Sequence, residues 1–467
     1  MRSASRIIVL GLVVSCLLAW ALPAQTATYY VSPQGDDSAS GSREAPWASP
    51  GAASRRLSPG DTLVILGGRY RLSQFDGDIL SPPSGTADNW IVIQGQEDDR
   101  PVLAGAENLA MALDLSGVQY LRVENLEITS DQGALFRDGI VVAGSPAAHL
   151  VLKNLYIHHL DEFGLNLQDV QDLLVEDCRI EYCGFGAAGG PAGESGGWRE
   201  VTFRRCQLSY SGHYYQGGDG SQRPYDRPDG LGTEPSEGPL VIEDCTAQHN
   251  RGDGLDSKTA ATTIRRCLVA NNSCDGVKLW GDGSRVESTL IYGRGDGDSE
   301  ITPWSPIVIT GQAGASFQLV NLSVDDALGG NYLMHVNYDQ PDQGVNLLIR
   351  NCIFRGTGSS SALWLAASTS LSADHNLFYL PASENVLEFG DTFYTAGNIS
   401  SLGTANFYAD PRFVEPAWGQ DGDYHLQDDS PALGAGTSQD APESDLEGRA
   451  WQDPPSLGAY ARQEQDS

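Results

Sequence analysis

The chain has 467 residues, with 61 acidic side chains against 29 basic ones and a formal net charge of −32. A protein this acidic lacks the basic face that nucleic acid or an anionic membrane surface requires, so both are excluded as partners. Its 54 glycines and 8% aromatic content point to many tight turns and repeated small units.

In chain order, residues 1–27 have the pattern of a signal peptide. Arg2 and Arg6 precede an apolar run from Ile7 to Leu22, and small residues follow as far as Ala27. That run is too short for a membrane span, and no later run is long enough. A secreted protein, extracellular or periplasmic, with no membrane span is expected. Val13-Val14-Ser15-Cys16 offers a lipoprotein alternative, but the apolar run continues past Cys16.

Residues 28–462 are expected to form one domain with a cap region at each end, over 28–110 and 401–462. The first cap is marked by Tyr29-Tyr30-Val31-Ser32-Pro33 and Ser58-Pro59-Gly60-Asp61, the second by Asp410-Pro411-Arg412-Phe413 and Asp423-Tyr424-His425-Leu426. Caps of this kind cover sheet edges that would otherwise invite aggregation.

Between them, over 111–400, one short motif recurs: an apolar residue, two polar residues, then Leu or Cys. It stands at Val123-Glu124-Asn125-Leu126, Leu152-Lys153-Asn154-Leu155, Val175-Glu176-Asp177-Cys178 and Phe203-Arg204-Arg205-Cys206. It returns at Ile242-Glu243-Asp244-Cys245, Ile264-Arg265-Arg266-Cys267, Leu319-Val320-Asn321-Leu322 and Ile349-Arg350-Asn351-Cys352. The spacings are 29, 23, 28, 39, 22, 55 and 30 residues. A minimum near 22 with longer excursions is the signature of a coil carrying variable loops. The predicted fold is all-β: a single-domain right-handed parallel β-helix. Stacked side chains in such a helix point in parallel, so the cysteines are expected to be free thiols rather than disulfides.

Only 3 of the 29 basic residues are lysines, and two of them, Lys258 and Lys278, lie beside a run of carboxylates. Strand alternation turns Asp256, Lys258, Lys278 and Trp280 outward if Leu255, Val277 and Leu279 turn inward. Asp256 and Lys278 each lie 11 residues past a motif cysteine, which places them in one column on adjacent coils. Asp229, Asp253 and Asp275, each followed by glycine, form a second column. The glycines are expected to permit a sharp bend that brings Asp253 and Asp256 together. Clustered carboxylates repel, and a hard divalent cation relieves them. Ca2+ held by Asp229, Asp253 and Asp256 is therefore expected, with Asp275 in reserve. A lysine can lose its proton and act as a base, which arginine cannot, so Lys278 is the candidate catalytic base and Lys258 its rival. Arg251 and Trp280 are candidate substrate-binding residues. Arg223, Arg227, Tyr214, Tyr215, Tyr225 and Trp304 are further candidates for sugar contacts, and Asp296-Gly297-Asp298 for a second ion.

Asp229-Gly230, Asp253-Gly254-Leu255-Asp256 and Gly276-Val277-Lys278-Leu279, in that order, resemble the signature segments of polysaccharide lyase family 9, the pectate lyase-like right-handed parallel β-helix proteins. Two features depart from that family: Gly252 stands where an acid is usual, and Lys278 follows its Asp cluster more closely. The resemblance implies a calcium-dependent lyase that cleaves an acidic (uronate) polysaccharide, pectate or polygalacturonate foremost, by β-elimination. A monomer is expected. Two alternatives stand beside it: a non-catalytic carbohydrate-binding or surface β-helix, and an alginate lyase or C5-epimerase. A glycoside hydrolase would use carboxylates alone.

Overall fold

Eight turns of the chain pivot on a residue in the left-handed backbone region, immediately before the inward Leu or Cys of the repeated motif. Asn125, Asn154, Asp177, Arg205, Asp244, Arg266, Asn321 and Asn351 all have φ between 49° and 56°. This conformation costs an ordinary L-residue about 1–2 kcal/mol. Asn and Asp tolerate it because a short polar side chain bonds locally: Asn154 Nδ2 donates to Asn125 Oδ1 at 3.0 Å, and Asn125 Nδ2 to the Gln96 carbonyl at 2.7 Å. The two arginines at this corner make bidentate ion pairs, Arg205 with Asp177 and Arg266 with Asp244.

The computed structural model describes residues 26–218, 220, 228–294, 305–330, 332–358 and 362–463. Most of the predicted leader lies outside them, as do Arg223, Tyr225, Arg227, Trp304 and Asp296-Gly297-Asp298. Among the described residues three long sheets wrap one apolar core, as expected of a right-handed parallel β-helix. The first has 13 strands from Thr28–Val31 to Ser370–Asp374, and the second 13 from Arg69–Leu72 to Phe407–Tyr408. The third has 12, from Leu109–Asp114 to Thr392–Tyr394, and all but its last pairing are parallel. Pairing already begins between Thr28–Val31 and Thr62–Ile65, so the ladder runs unbroken through residue 110. No described helix is long and apolar enough to cross a membrane.

Coils stack about 4.8 Å apart, and identical register places each residue above its counterpart. The inward column next to the corner holds Leu126, Leu155, Cys178, Cys206, Cys245 and Cys267 in succession, all buried. All seven described cysteines are free, as expected from parallel side-chain directions. One place outward of the corner, on the first sheet, register pairs Glu124, Lys153, Glu176, Arg204, Glu243, Arg265 and Glu287 in a single line of alternating sign. Glu243 is almost fully buried between Arg204 at 2.5 Å and Arg265 at 2.7 Å. The third lysine, Lys153, belongs to this line, 2.9 Å from Glu176. The C-terminal region packs on the second sheet and the corner: Tyr424 donates to Asp325, Trp418 Nε1 to the Arg294 carbonyl, and Asn351 Nδ2 to the Thr437 carbonyl.

Two outcomes follow from these columns. Alkylation of denatured, unreduced protein labels all five corner cysteines, Cys178, Cys206, Cys245, Cys267 and Cys352; disulfide-linked peptides among them in mass spectrometry contradict the arrangement. Burial pushes Glu243 up, but its bonds to Arg204 and Arg265 outweigh this and hold it below the usual carboxylate range. Its contribution is therefore present above the unfolded glutamate value of about 4.3 and is lost as pH falls through the lower folded value. Glu243→Gln is expected to cost about 1.5–3 kcal/mol at pH 7 and much less near pH 3. Equal losses at the two pH values, measured by denaturant titration, contradict the role of its charge.

Candidate active site

Three aspartates on successive coils make one hydrogen-bonded ladder at the entry to the third sheet. Asp229 Oδ1 accepts from the Asp253 backbone N–H at 2.7 Å, Asp253 Oδ1 from that of Asp275 at 2.9 Å, and Asp275 Oδ1 from that of Ser305 at 2.8 Å. Each carboxylate thus spends one oxygen on the next coil and keeps the other for its surroundings.

The glycine after each aspartate has a different reason from the expected bend. Gly230, Gly254 and Gly276 do not have positive φ. A Cβ on any of them would lie 2.5–2.8 Å from a carbonyl oxygen of the following coil. Close approach of the stacked backbones, not curvature, requires glycine there.

The outward column is as the spacing predicted. Register pairs Asp256 with Lys278 and Gly232 with Asp256, while Leu255, Val277 and Leu279 are buried in the core. Asp256 comes together with Asp229 and Asp253: one carboxylate oxygen from each lies within 4.8 Å of the others. Lys278 projects into the same cluster, with Nζ 2.9 Å from Asp253, 3.6 Å from Asp275 and 4.0 Å from Asp256. Its side chain is only 4% exposed. Trp280 Nε1 donates to Asp256 Oδ1 at 2.7 Å and fixes that carboxylate's orientation.

Four carboxylates, Asp253 and Asp275 buried and Asp229 and Asp256 half-buried, cluster here with the Lys278 ammonium group. Burial, then Asp253 and Asp256, pushes Asp229 well above the ordinary range, and burial with Asp253 pushes Asp256 up to about 6. For Lys278, burial lowers the value but Asp253, Asp256 and Asp275 outweigh it, so it is held protonated. Such an imbalance is relieved by added positive charge, and the all-oxygen donor set of Asp229, Asp253 and Asp256 suits calcium. Asp275 lies on the lysine side of the cluster and is not part of the trio.

The other candidates separate. Lys258 is tied to Glu234 at 2.8 Å. Arg251 is half-buried, its backbone donating to the Ser211 carbonyl, and it does not line the cavity beside the cluster. Tyr214 bonds Ser130 on the second sheet, whereas Tyr215 stacks against Phe185. The cavity is about 590 Å³ and runs from Phe163 and Phe185 across the carboxylates to Lys278 and Trp280. The sequence reading missed Glu234 as a cavity residue and missed the apolar wall of Phe163 and Phe185. The only signal for the wall was the glycine-rich stretch Gly184–Gly190 that follows Phe163 by one coil.

A family model described as "Pel9A-like, right handed beta helix region" matches residues 29–286, more than half of the chain. No protein of curated function matches by sequence. Among solved structures, a pectate lyase, Pel9A, superposes with a TM-score of 0.52 at 17% identity, over 94% of this chain and 96% of its own. XylC in complex with xylose gives 0.61 at 10% identity, over 94% and 99%. The A-module of the mannuronan C-5 epimerase AlgE6 from Azotobacter vinelandii gives 0.55 at 13% identity, over 77% and 93%. At these identities the likenesses show a shared fold.

Millimolar calcium is expected to raise the melting temperature of the wild type. A free ion concentration of 100 times Kd stabilises by about 2.7 kcal/mol. Asp256→Asn abolishes the increase and Asp275→Asn retains it. An unchanged wild-type melting temperature, or a loss confined to Asp275→Asn, contradicts the ligand set.

Proposed function

The chain belongs to the Pel9A-like right-handed β-helix family, and from that premise we propose that it is an exported, calcium-dependent polysaccharide lyase of the family 9 type. Its substrate is an acidic, uronate-containing polysaccharide, with polygalacturonate the first to assay. The observation that carries this reading is a buried lysine set against a trio of converging carboxylates in an open cavity.

Asp229, Asp253 and Asp256 would hold the ion, with Trp280 locking Asp256. Calcium, when bound, supplies a Lewis acid that engages the substrate carboxylate and stabilises negative charge developing next to it. It also reconciles a protein of charge −32 with a polyanionic ligand. Asp275 and Asp253 aim Lys278 Nζ across the cluster. The neutral amine takes the proton from C5 of the uronate, and the C5–H electron pair forms the C4=C5 double bond. The C4–O bond breaks, and the departing sugar oxygen takes a proton from solvent. Because the surrounding carboxylates favour the ammonium form, turnover is expected to rise from neutral to alkaline pH.

Lys278→Arg keeps the charge but cannot serve as a base. It is expected to lower kcat by about 10²–10⁴-fold with the melting temperature little changed. Chelation is expected to abolish formation of the ultraviolet-absorbing unsaturated product, and added calcium to restore it. Near wild-type turnover by Lys278→Arg would sink the assignment of the base; full activity in chelator would remove the metal from the reading.

A further inference from the structure

The half of the cavity beyond the carboxylates is apolar. In the register column that contains Asp229, the preceding coils carry Gly186 and, before it, Phe163. Asp229 therefore has a bare backbone about 5 Å away on the adjacent coil, over which the Phe163 ring lies. In the column of Asp256, the preceding coils carry Gly232 and then Gly189, leaving a notch without side chains. The notch is flanked by Phe163. A Cβ on Gly186 would lie 3.0 Å from its ring, and one on Gly189 3.2 Å from it. Phe185 meets Phe163 edge-on at 6.0 Å and is itself backed by Tyr215 at 6.4 Å. The exposed Pro191 lies at the rim.

A polymer with its reacting uronate at Lys278 places the neighbouring sugar in this notch. The two lysines lining the cavity are already engaged, Lys258 by Glu234 and Lys278 by the aspartates. Among the described residues lining the cavity no cationic side chain remains to pair a carboxylate on the neighbouring sugar, which would lose water against Phe163 and Phe185 in the company of Glu234. Burial of an unpaired charge is strongly unfavourable, whereas the C–H face of an uncharged sugar or a methyl ester gains from the same apolar wall.

We infer that the notch formed by Phe163, Phe185, Gly186 and Gly189 selects an uncharged residue next to the reacting uronate. The preferred substrate is accordingly a uronate polymer interrupted by neutral or esterified sugars, not a uniformly charged one. This rests on the lyase reading for the position of the reacting sugar.

The test uses calcium-loaded protein and three polymers: fully de-esterified polygalacturonate, a partly methyl-esterified sample of equal chain length, and a polymer alternating uronate with neutral sugar. Binding is read by gel retardation and cleavage by ultraviolet absorbance. The wild type is expected to bind the esterified or the alternating polymer about tenfold more tightly than the fully charged one, a difference of about 1.4 kcal/mol. Pro191→Arg, which places a cation at the rim, is expected to narrow or reverse that ranking, and Phe185→Ala to weaken binding of the preferred polymer. Equal or tighter binding of the fully charged polymer overturns the inference. So does an unmoved ranking in Pro191→Arg, or retardation by none of the three. If the ranking holds and Pro191→Arg shifts it, yet no polymer yields unsaturated product, the notch assignment stands and the lysine-base reading falls.

Discussion

In-register parallel stacking is the constraint on which the whole molecule depends. Hydrogen bonding each strand to its counterpart one coil away places like positions over like positions, about 4.8 Å apart, along the length of the helix. Apolar columns gain from this directly, as in the Leu and Cys line at the corner. Polar columns do not, because a repeated charge meets its own kind on both sides. The chain resolves the problem differently on different faces.

On the first sheet it alternates sign along Glu124, Lys153, Glu176, Arg204, Glu243, Arg265 and Glu287, so the five inner members each meet opposite charge above and below. At an interior turn it uses amides: Asn250 donates to Asn272, and Asn272 to the Ala247 carbonyl. At the entry to the third sheet neither solution is used. Asp229, Asp253 and Asp275 repeat the same sign, and the backbone N–H of the next coil neutralises only one oxygen of each. Asp256 adds a further acid from the adjoining column. Lys278 is the counter-charge that projects into that cluster, and it is buried there. A fold that alternates sign along its first sheet has left this spot unbalanced, which is what a site for an external cation and an anionic ligand requires.

Much of this was legible in the sequence because register is periodic. The 11-residue offset from Cys245 and Cys267 put Asp256 beside Lys278, and the structure pairs them. Cysteine stacking followed from the same logic. The alternating ladder is written in the repeated motif, where Lys153, Glu176, Arg204, Glu243 and Arg265 occupy one position; aligning the motif by hydropathy alone concealed it. Other features depend on distances that no one-dimensional pattern contains. Gly254 looked like a bend and is instead a point of contact with the Gly276 carbonyl. Arg251 lies two residues before Asp253 in sequence but does not line the cavity. Phe163 and Phe185 reach the site only because Gly186 and Gly189 leave room above Asp229 and Gly232.

The central claim is that this unbalanced cluster removes a proton from C5 of a uronate and expels the sugar at C4. Proton NMR of a uronate polymer incubated with the calcium-loaded protein tests it most directly. The account predicts loss of the H5 signal with matching growth of a vinyl H4 signal from the unsaturated product. An unchanged spectrum, or new reducing ends without a vinyl proton, would contradict it.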